Sequence, residues 1–533
     1  MTDDDPLAAL VARLEPAMAA TRVLPAAVQH ADVTLTNVLV TDGAITGIVD
    51  FGDMHHTPFV ADVAASLTSV LRNTAAEQPC TTWQLAGAYL RGYQRHRLLT
   101  RAEVDVLGEL ILARMVVSTL ISRTRAAVHV DNTDYITRYD AANERVLGAL
   151  TALTPAELAA RFHRLAGTGD PAIPVEEVPA RRAAAMGGRA APLFYRQPLH
   201  MVEGDGPWLV AADGRRYLDA YNNVAVVGHG DPVVTNRITR QLNRLNTNSR
   251  YLHAGIVELA ERLLATMPDG LDTCLFTTSG TEANELAWRL ATEATGGDGA
   301  LIVERSYHGT TKWMADLSSN EWPPGHRPSR VARFPAPRGP GQDAETASRG
   351  VRDATADLAE RGHRPALLLA DSGFTSEGVH DAPANWFHGL ADATREAGAL
   401  YLADEVQIGY GRTGPLLWRF RQAEVTPDFV TLGKPMGAGY PIGAMITRRE
   451  LVDRFAEKYE YFSTFAATPA AAAAGLAVLD VLAERELPQQ AVEVGAHLVD
   501  RLAALAETSP CWVRCAASVS SQASTSWLLT ATG

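Results

Sequence analysis

Chemistry that needs a primary amine has few places to occur in this chain, which carries only three lysines, Lys312, Lys434 and Lys458, among 533 residues. Lys434 follows the strand-like DFVTL and is flanked by Gly433, Gly437 and Gly439. Glycines let a second backbone or a ligand come close, and a lysine delivered from a strand end into a dry cleft loses part of its preference for charge and becomes a nucleophilic amine. Most isolated lysines are solvated loop residues. Lys312 in TTKW and Lys458 in FAEKYEY fit that description, with no glycine shell and no strand leading in. Lys434 is the lysine expected to form a Schiff base.

Thirty positions earlier, GALYLADEVQIGYGRTG ends an apolar strand on Asp404. A carboxylate carried into a cleft by an apolar strand needs a cation to offset desolvation, and the pyridinium nitrogen of pyridoxal 5'-phosphate would serve. At about 4 Å and an effective dielectric near 20 the attraction is roughly 4 kcal/mol, enough to keep a pyridine protonated and able to accept electrons. An isolated aspartate at a strand end is more often satisfied by backbone amides. FTTSGTEANELAWRL reads as a strand, a tight turn and a helix start, with Ser279, Gly280 and Thr281 where free N–H groups suit a phosphate dianion. The same letters also spell an ordinary helix cap. Tyr307 and His308 close a further strand in RSYHGTT, where a flat ring could stack on a pyridine or simply fill a core.

These residues need a scaffold, and the text from about 191 onward supplies one. Strands rich in Val, Leu and Ile (TCLFTTSG, GALIVERS, PALLLADSG, GALYLADEV, DFVTLGKPMG) alternate with helical segments, one near 386–397. That alternation predicts an α/β domain with a mainly parallel sheet covered by helices, its ligands collecting beyond the strand carboxyl ends. Residues 1–150 carry a different pattern. An amphipathic helix precedes VQHADVTLTNVLV, a turn at Asp42-Gly43, the strand ITGIVDFGD and then mostly helical text. The stretch 151–190, rich in Pro, Gly and Ala, reads as a linker. Residues 511–533 form a Ser- and Ala-rich tail without periodicity.

Composition narrows the classes. Hydrophobic residues make up 47% and charged residues 20%, which is globular. With 48 basic and 61 acidic side chains the formal charge is −13, so neither nucleic acid nor an anionic membrane is an expected partner. The start, MTDDDPLAAL, has no secretory pattern, and no apolar run approaches the roughly 20 residues that span a bilayer, so a cytoplasmic protein is expected. Cys80, Cys274, Cys511 and Cys515 lack paired spacing, which indicates neither a disulfide framework nor a metal site.

Over roughly 191–510 the combination of DEVQ-G-G-RTG, T-x-GK with glycines, and an STF-x-x-x-P segment resembles the class III, fold type I pyridoxal-phosphate aminotransferases. The resemblance implies a fold type I transferase with a small C-terminal domain. It makes Lys434 the Schiff-base lysine, Asp404 the partner of the pyridine nitrogen and Gln407 a neighbour of the ring hydroxyl. It also places Gly280 and Thr281 on the phosphate, Tyr307 on the ring face, and Thr464 at the cofactor phosphate of a partner subunit. Members are homodimers acting on small amines and keto acids, so transamination is the first expectation. YNNVAVVGHGDP, LNTNSRYLH, VTLGKPMGAGYP and EYFSTF resemble the branch containing ethanolamine-phosphate phospho-lyase, which makes phosphate elimination the alternative. Five positions depart from the family pattern: Ala466, Ala467 and Thr468 stand for a usual Gly-Gly-Asn, Thr278 for Asn, and Asp371 for Glu.

HADVTLTN followed by DFGD resembles the catalytic loop of aminoglycoside and choline-type kinases. By that resemblance Asp32 is a vestigial base, Asn37 and Asp50 are vestigial magnesium ligands, and His30 braces the loop. Only 29 residues precede His30, the first glycine is Gly43, and no lysine precedes Lys312, so a truncated, mostly helical kinase C-lobe is expected over 1–150. The segment 511–533 reads as translation in a shifted frame, leaving the small C-terminal domain incomplete and adding a non-catalytic fragment as a third possibility.

Overall fold

The computed structural model describes residues 6–42, 44–72, 82–94, 96–167, 175–188, 193, 195–212, 215–338 and 341–508. The tail 511–533 with Cys511 and Cys515, Cys80, and Gly43 of the expected turn lie outside the described residues. The chain divides into two compact units, the second beginning at Leu193. No helix among the described residues is long and apolar enough to cross a membrane.

The first unit is mostly helical. Two short strands, Ala26–Gln29 and His55–Pro58, pair antiparallel, and Val38–Thr41 pairs with Ala44–Ile48. The helices Phe59–Arg72 and Arg101–Val128 bury Val60, Val63, Leu67, Leu107 and Ile111 in one cluster. Leu158 and Phe162, both fully buried, belong to that same cluster. They sit on a helix, Pro155–Ala166, inside the stretch expected to be a linker. The expectation fails there for a local reason. Thr154 accepts from the Glu157 N–H while Glu157 accepts from the Thr154 N–H, Pro155 opens the first turn, and left-handed Gly167 closes the helix. Such a capping box, followed by apolar residues at helical spacing, is a start signal that the Pro, Gly and Ala content obscured.

In the second unit a three-stranded antiparallel sheet, Met201–Asp205, Trp208–Ala211 and Arg216–Leu218, precedes a seven-stranded one. The larger sheet runs in the order Val331–Phe334, Gly299–Val303, Pro365–Asp371, Leu400–Asp404, Phe429–Leu432, Gly443–Thr447 and Thr273–Thr277. Its first five strands are parallel, and the last two join antiparallel. Strands buried on both faces must be apolar at every position, and successive residues of Gly299–Val303 show why. Leu301 and Val303 pack into one hydrophobic cluster, Ala300 and Ile302 into another on the opposite face. Helices Ala344–Glu360, Ala384–Glu396 and Pro469–Glu484 contribute to the first cluster and Gly280–Thr295 to the second. This is the mainly parallel, helix-covered architecture of a fold type I transferase.

Two of the substitutions noted above have a structural reading. Ala467 adopts φ 52°, a left-handed conformation that glycine would take without strain. Thr468 caps the helix Pro469–Glu484, its side chain accepting from the Ala471 N–H, a task threonine performs nearly as well as asparagine.

Candidate functional site

Strand carboxyl ends, one helix N-terminus and two glycine-rich loops enclose a cleft of about 310 Å³. Of the residues singled out by sequence, Lys434, Asp404, Gly280, Thr281, Tyr307 and Gln407 all line it, beside Thr278, His308, Asp371, Thr375, Ser376 and Val406. Thr464 does not. It lies on the exposed segment that also carries Phe465, 74% exposed.

One end of the cleft is built for an anion. Helix Gly280–Thr295 starts there, its cap Ser279 accepting from the Glu282 N–H and leaving the earlier N–H groups of the first turn to face the cavity. Position 280 admits no side chain, because a Cβ would fall 2.4 Å from Cγ1 of Val406. Gly309, at φ 139°, likewise lets its loop approach Thr281, where a Cβ would meet Oγ1 at 2.5 Å. The cradle is therefore made by backbones drawn together at glycines.

Asp404 occupies another wall, 5% exposed at the end of Leu400–Asp404. Its Oδ1 accepts from the Val406 N–H at 3.0 Å; its Oδ2 accepts from Asn284 Nδ2 at 2.9 Å and pairs with His308 Nδ1 at 2.8 Å. Asp371 is its neighbour in register on the adjacent strand and is held by the N–H groups of Gly373 and Thr375, each at 2.9 Å, and by the Thr375 hydroxyl. Burial and the nearby Asp404 charge push the Asp371 carboxyl up. Glu405 points away from the cleft, accepting from the N–H groups of Arg419 and Phe420, and burial raises it to about 7.

Lys434 follows the buried strand Phe429–Leu432. Burial lowers its ammonium below the ordinary lysine value, opposed by attraction to Asp404 and Asp371 and reinforced by Arg412. The free amine is thus more available than on a solvated lysine. Lys312 and Lys458 instead pair with Asp316 and Glu293 on the surface. Arg412, 3% exposed, donates to the backbone carbonyls of Gln407 at 3.1 Å and Asn223 at 2.9 Å. Tyr307 is half-buried, and burial raises its phenol.

An anion cradle, a buried carboxylate and an amine of lowered basicity around one cavity match a flat aldehyde cofactor that bears a phosphate and a basic ring nitrogen. The residues present fit pyridoxal phosphate. Sequence reasoning missed Asn284 and left His308 without a role. Asn284 was within reach, since it lies four positions after Gly280 and so on the same helix face.

In the first unit the kinase-like loop is laid out differently. Asp32 pairs with Arg114 and accepts from Asn37 Nδ2 at 3.0 Å. His30 Nε2 lies 3.1 Å from the Val49 carbonyl, and Asp50 is exposed in a left-handed conformation. No group of three or more His, Cys, Asp or Glu that could hold a metal occurs among the described residues.

Comparison with known proteins follows the same division. The family model "Aminotransferase class-III" matches residues 194–515, and the model "Phosphotransferase enzyme family" matches 2–103. The chain is 35% identical over 340 residues to an alanine–glyoxylate aminotransferase 2-like protein of Drosophila melanogaster, covering 61% of this chain and 69% of that one. It is 31% identical over 387 residues to ethanolamine-phosphate phospho-lyase homolog 1 of Caenorhabditis elegans, covering 68% and 81%. Among solved structures, a phospholyase from Arthrobacter in complex with phosphoethanolamine superposes with a TM-score of 0.59 at 40% identity, covering 62% of this chain and 80% of that one.

Proposed function

The chain belongs to the class-III aminotransferases, a pyridoxal-phosphate family, and from that premise we propose that its cleft eliminates phosphate from an amino-alcohol phosphate. The observation that carries the choice of reaction is the 40% identity with the phospholyase bound to phosphoethanolamine. The phosphotransferase-family match over 2–103 supports it, because a phosphate ester is what such a family makes. Transamination between an amine and a keto acid is the second reading, favoured by the 35% identity with the aminotransferase 2-like relative.

When bound, pyridoxal phosphate supplies an electron sink that loosens a hydrogen on the amine-bearing carbon. The opening N–H groups of Gly280–Thr295 and the side chain of Thr281 would hold its phosphate, Tyr307 its ring face and Gln407 its ring hydroxyl. Asp404 would face its ring nitrogen and Lys434 its aldehyde carbon. Lys434 Nζ then accepts the carbon-bound hydrogen as a proton, a task its burial favours. For a phosphate ester, the carbon–oxygen bond next to that carbon breaks and phosphate leaves with the electron pair; water completes the balance, giving ammonia and an aldehyde. Without a leaving group, the same residues serve amino transfer.

We read the enzyme as a homodimer in which Thr464 reaches the cofactor phosphate of a second copy. Arg250 lies over the Phe462 ring at 4.2 Å, and the two segments this contact joins carry the exposed Tyr251, Leu252, Phe462 and Phe465, apolar residues of the kind that another chain covers.

The test is to incubate the full chain with pyridoxal phosphate and ethanolamine phosphate and to follow inorganic phosphate. Release without a keto acid, abolished in Lys434→Ala, is the expected result. Amino transfer that requires a keto acid and releases no phosphate selects the second reading, and neither product overturns both.

A further inference from the structure

Three donors from three separate segments converge on Asp404, and they are distributed unevenly. Among the described residues Oδ2 takes two, Asn284 Nδ2 and His308 Nδ1, whereas Oδ1 takes only the Val406 N–H. A carboxylate that only accepts takes its hydrogen bond from the ring's Nδ1–H tautomer, and among the described residues Nε2 of that ring is buried with no partner. The donors are themselves fixed. Asn284 Nδ2 also donates to the His308 carbonyl at 2.9 Å, and Asn284 Oδ1 accepts from the Thr431 hydroxyl at 2.7 Å. The His308 N–H donates to Ser318 Oγ at 2.9 Å. Thr431, Asn284, His308 and Asp404 are all at least nine-tenths buried. A helix, a loop and two neighbouring strands thus meet in one chain of hydrogen bonds.

We infer that His308 and Asn284 are positioning residues that clamp Oδ2 of Asp404 and turn Oδ1, with its spare lone pair, toward the cofactor's ring nitrogen. The inference rests on the cofactor reading above. It also links the two ends of the site. Asn284 stands about 6 Å along the helix axis from Gly280, so one rigid helix sets the spacing between the phosphate cradle and the acid.

Neither residue needs to touch the substrate, so the readout is cofactor binding and orientation. The full chain is titrated with pyridoxal phosphate while the cofactor's induced circular dichroism is recorded for wild type, His308→Leu, His308→Asn and Lys434→Ala. His308→Leu, which removes the donor at similar bulk, is expected to weaken cofactor affinity roughly tenfold and to diminish the dichroic band. His308→Asn, whose amide places a donor near the old Nδ1, is expected to restore both. Wild-type affinity and dichroism in His308→Leu would overturn the clamp while leaving the cofactor reading intact. A wild-type chain that gives no dichroic band, and so matches Lys434→Ala, would remove the cofactor reading and the clamp with it. Should His308→Leu fail to give a cooperative thermal transition, Asn284→Leu tests the second arm with the same two outcomes.

Discussion

Asp32 and Asp404 stand in similar sequence settings, each in a short polar motif beside apolar strand text, and the structure treats them in opposite ways. Asp32 is paired with the protein's own Arg114, both side chains partly exposed. Asp404 is buried, and its donors are a histidine, an asparagine and a backbone amide. A carboxylate matched to an arginine has its charge neutralised within the fold. One held by amides and an imidazole can still balance an incoming cation. The difference separates an acid whose charge the fold itself matches from one that keeps the capacity to meet a cation, although both lie in recognisable enzyme motifs.

Several changes would break or sharpen that contrast. The largest effect is expected from Lys434→Ala, which removes the only lysine in the cleft: turnover should fall by about 10⁴-fold or more, measured as phosphate release or amino transfer. Asp404→Asn keeps the shape and removes the charge. At about 4 Å and an effective dielectric of 20 the loss is roughly 4 kcal/mol, or about a thousandfold in turnover. Equal turnover in wild type and Asp404→Asn would refute the role of that charge.

Glu405, next along the chain, gives a pH signature of intermediate size. Its folded value is raised from 4.5 to about 7, so between those values the folded state holds more protons than the unfolded one. Stability should be fully present below pH 4.5 and decline as pH rises to about 7, by on the order of 3 kcal/mol from this group. Denaturant titrations across that range should flatten in Glu405→Gln; an unchanged slope would show that another group carries it. The smallest effect is expected from Asp32→Asn. An exposed ion pair contributes about 1 kcal/mol or less, so melting should shift slightly and turnover in the second unit should not change. A large loss of turnover there would erase the contrast between the two acids.

Much of the site was legible because its chemistry is local. Lys434 and Asp404 each end a run of apolar strand residues, and Gly280 opens a helix directly after a strand, so the text around each names its place at the strand carboxyl edge. The helix Pro155–Ala166 was equally local in its caps but was hidden by composition, because Pro and Gly mark helix boundaries as readily as linkers. His308 and Asn284 were of another kind. Helical spacing from Gly280 could place Asn284 on the cleft face, but nothing near either residue in the chain announces its bond to Asp404, 96 or 120 positions away.

The sequence by itself determined the fold class and which lysine, which acid and which helix start would line the cleft, since each depends on side-chain type and on the alternation of strand and helix within some twenty residues. Tertiary structure alone decided that Asp404 would be clamped through one oxygen and that Asp32 would be matched by Arg114, 82 positions along the chain. Directional hydrogen bonds and ion pairs form only where packing brings distant segments within about 3 Å, and that proximity is set by strand order and helix placement rather than by neighbours in the chain.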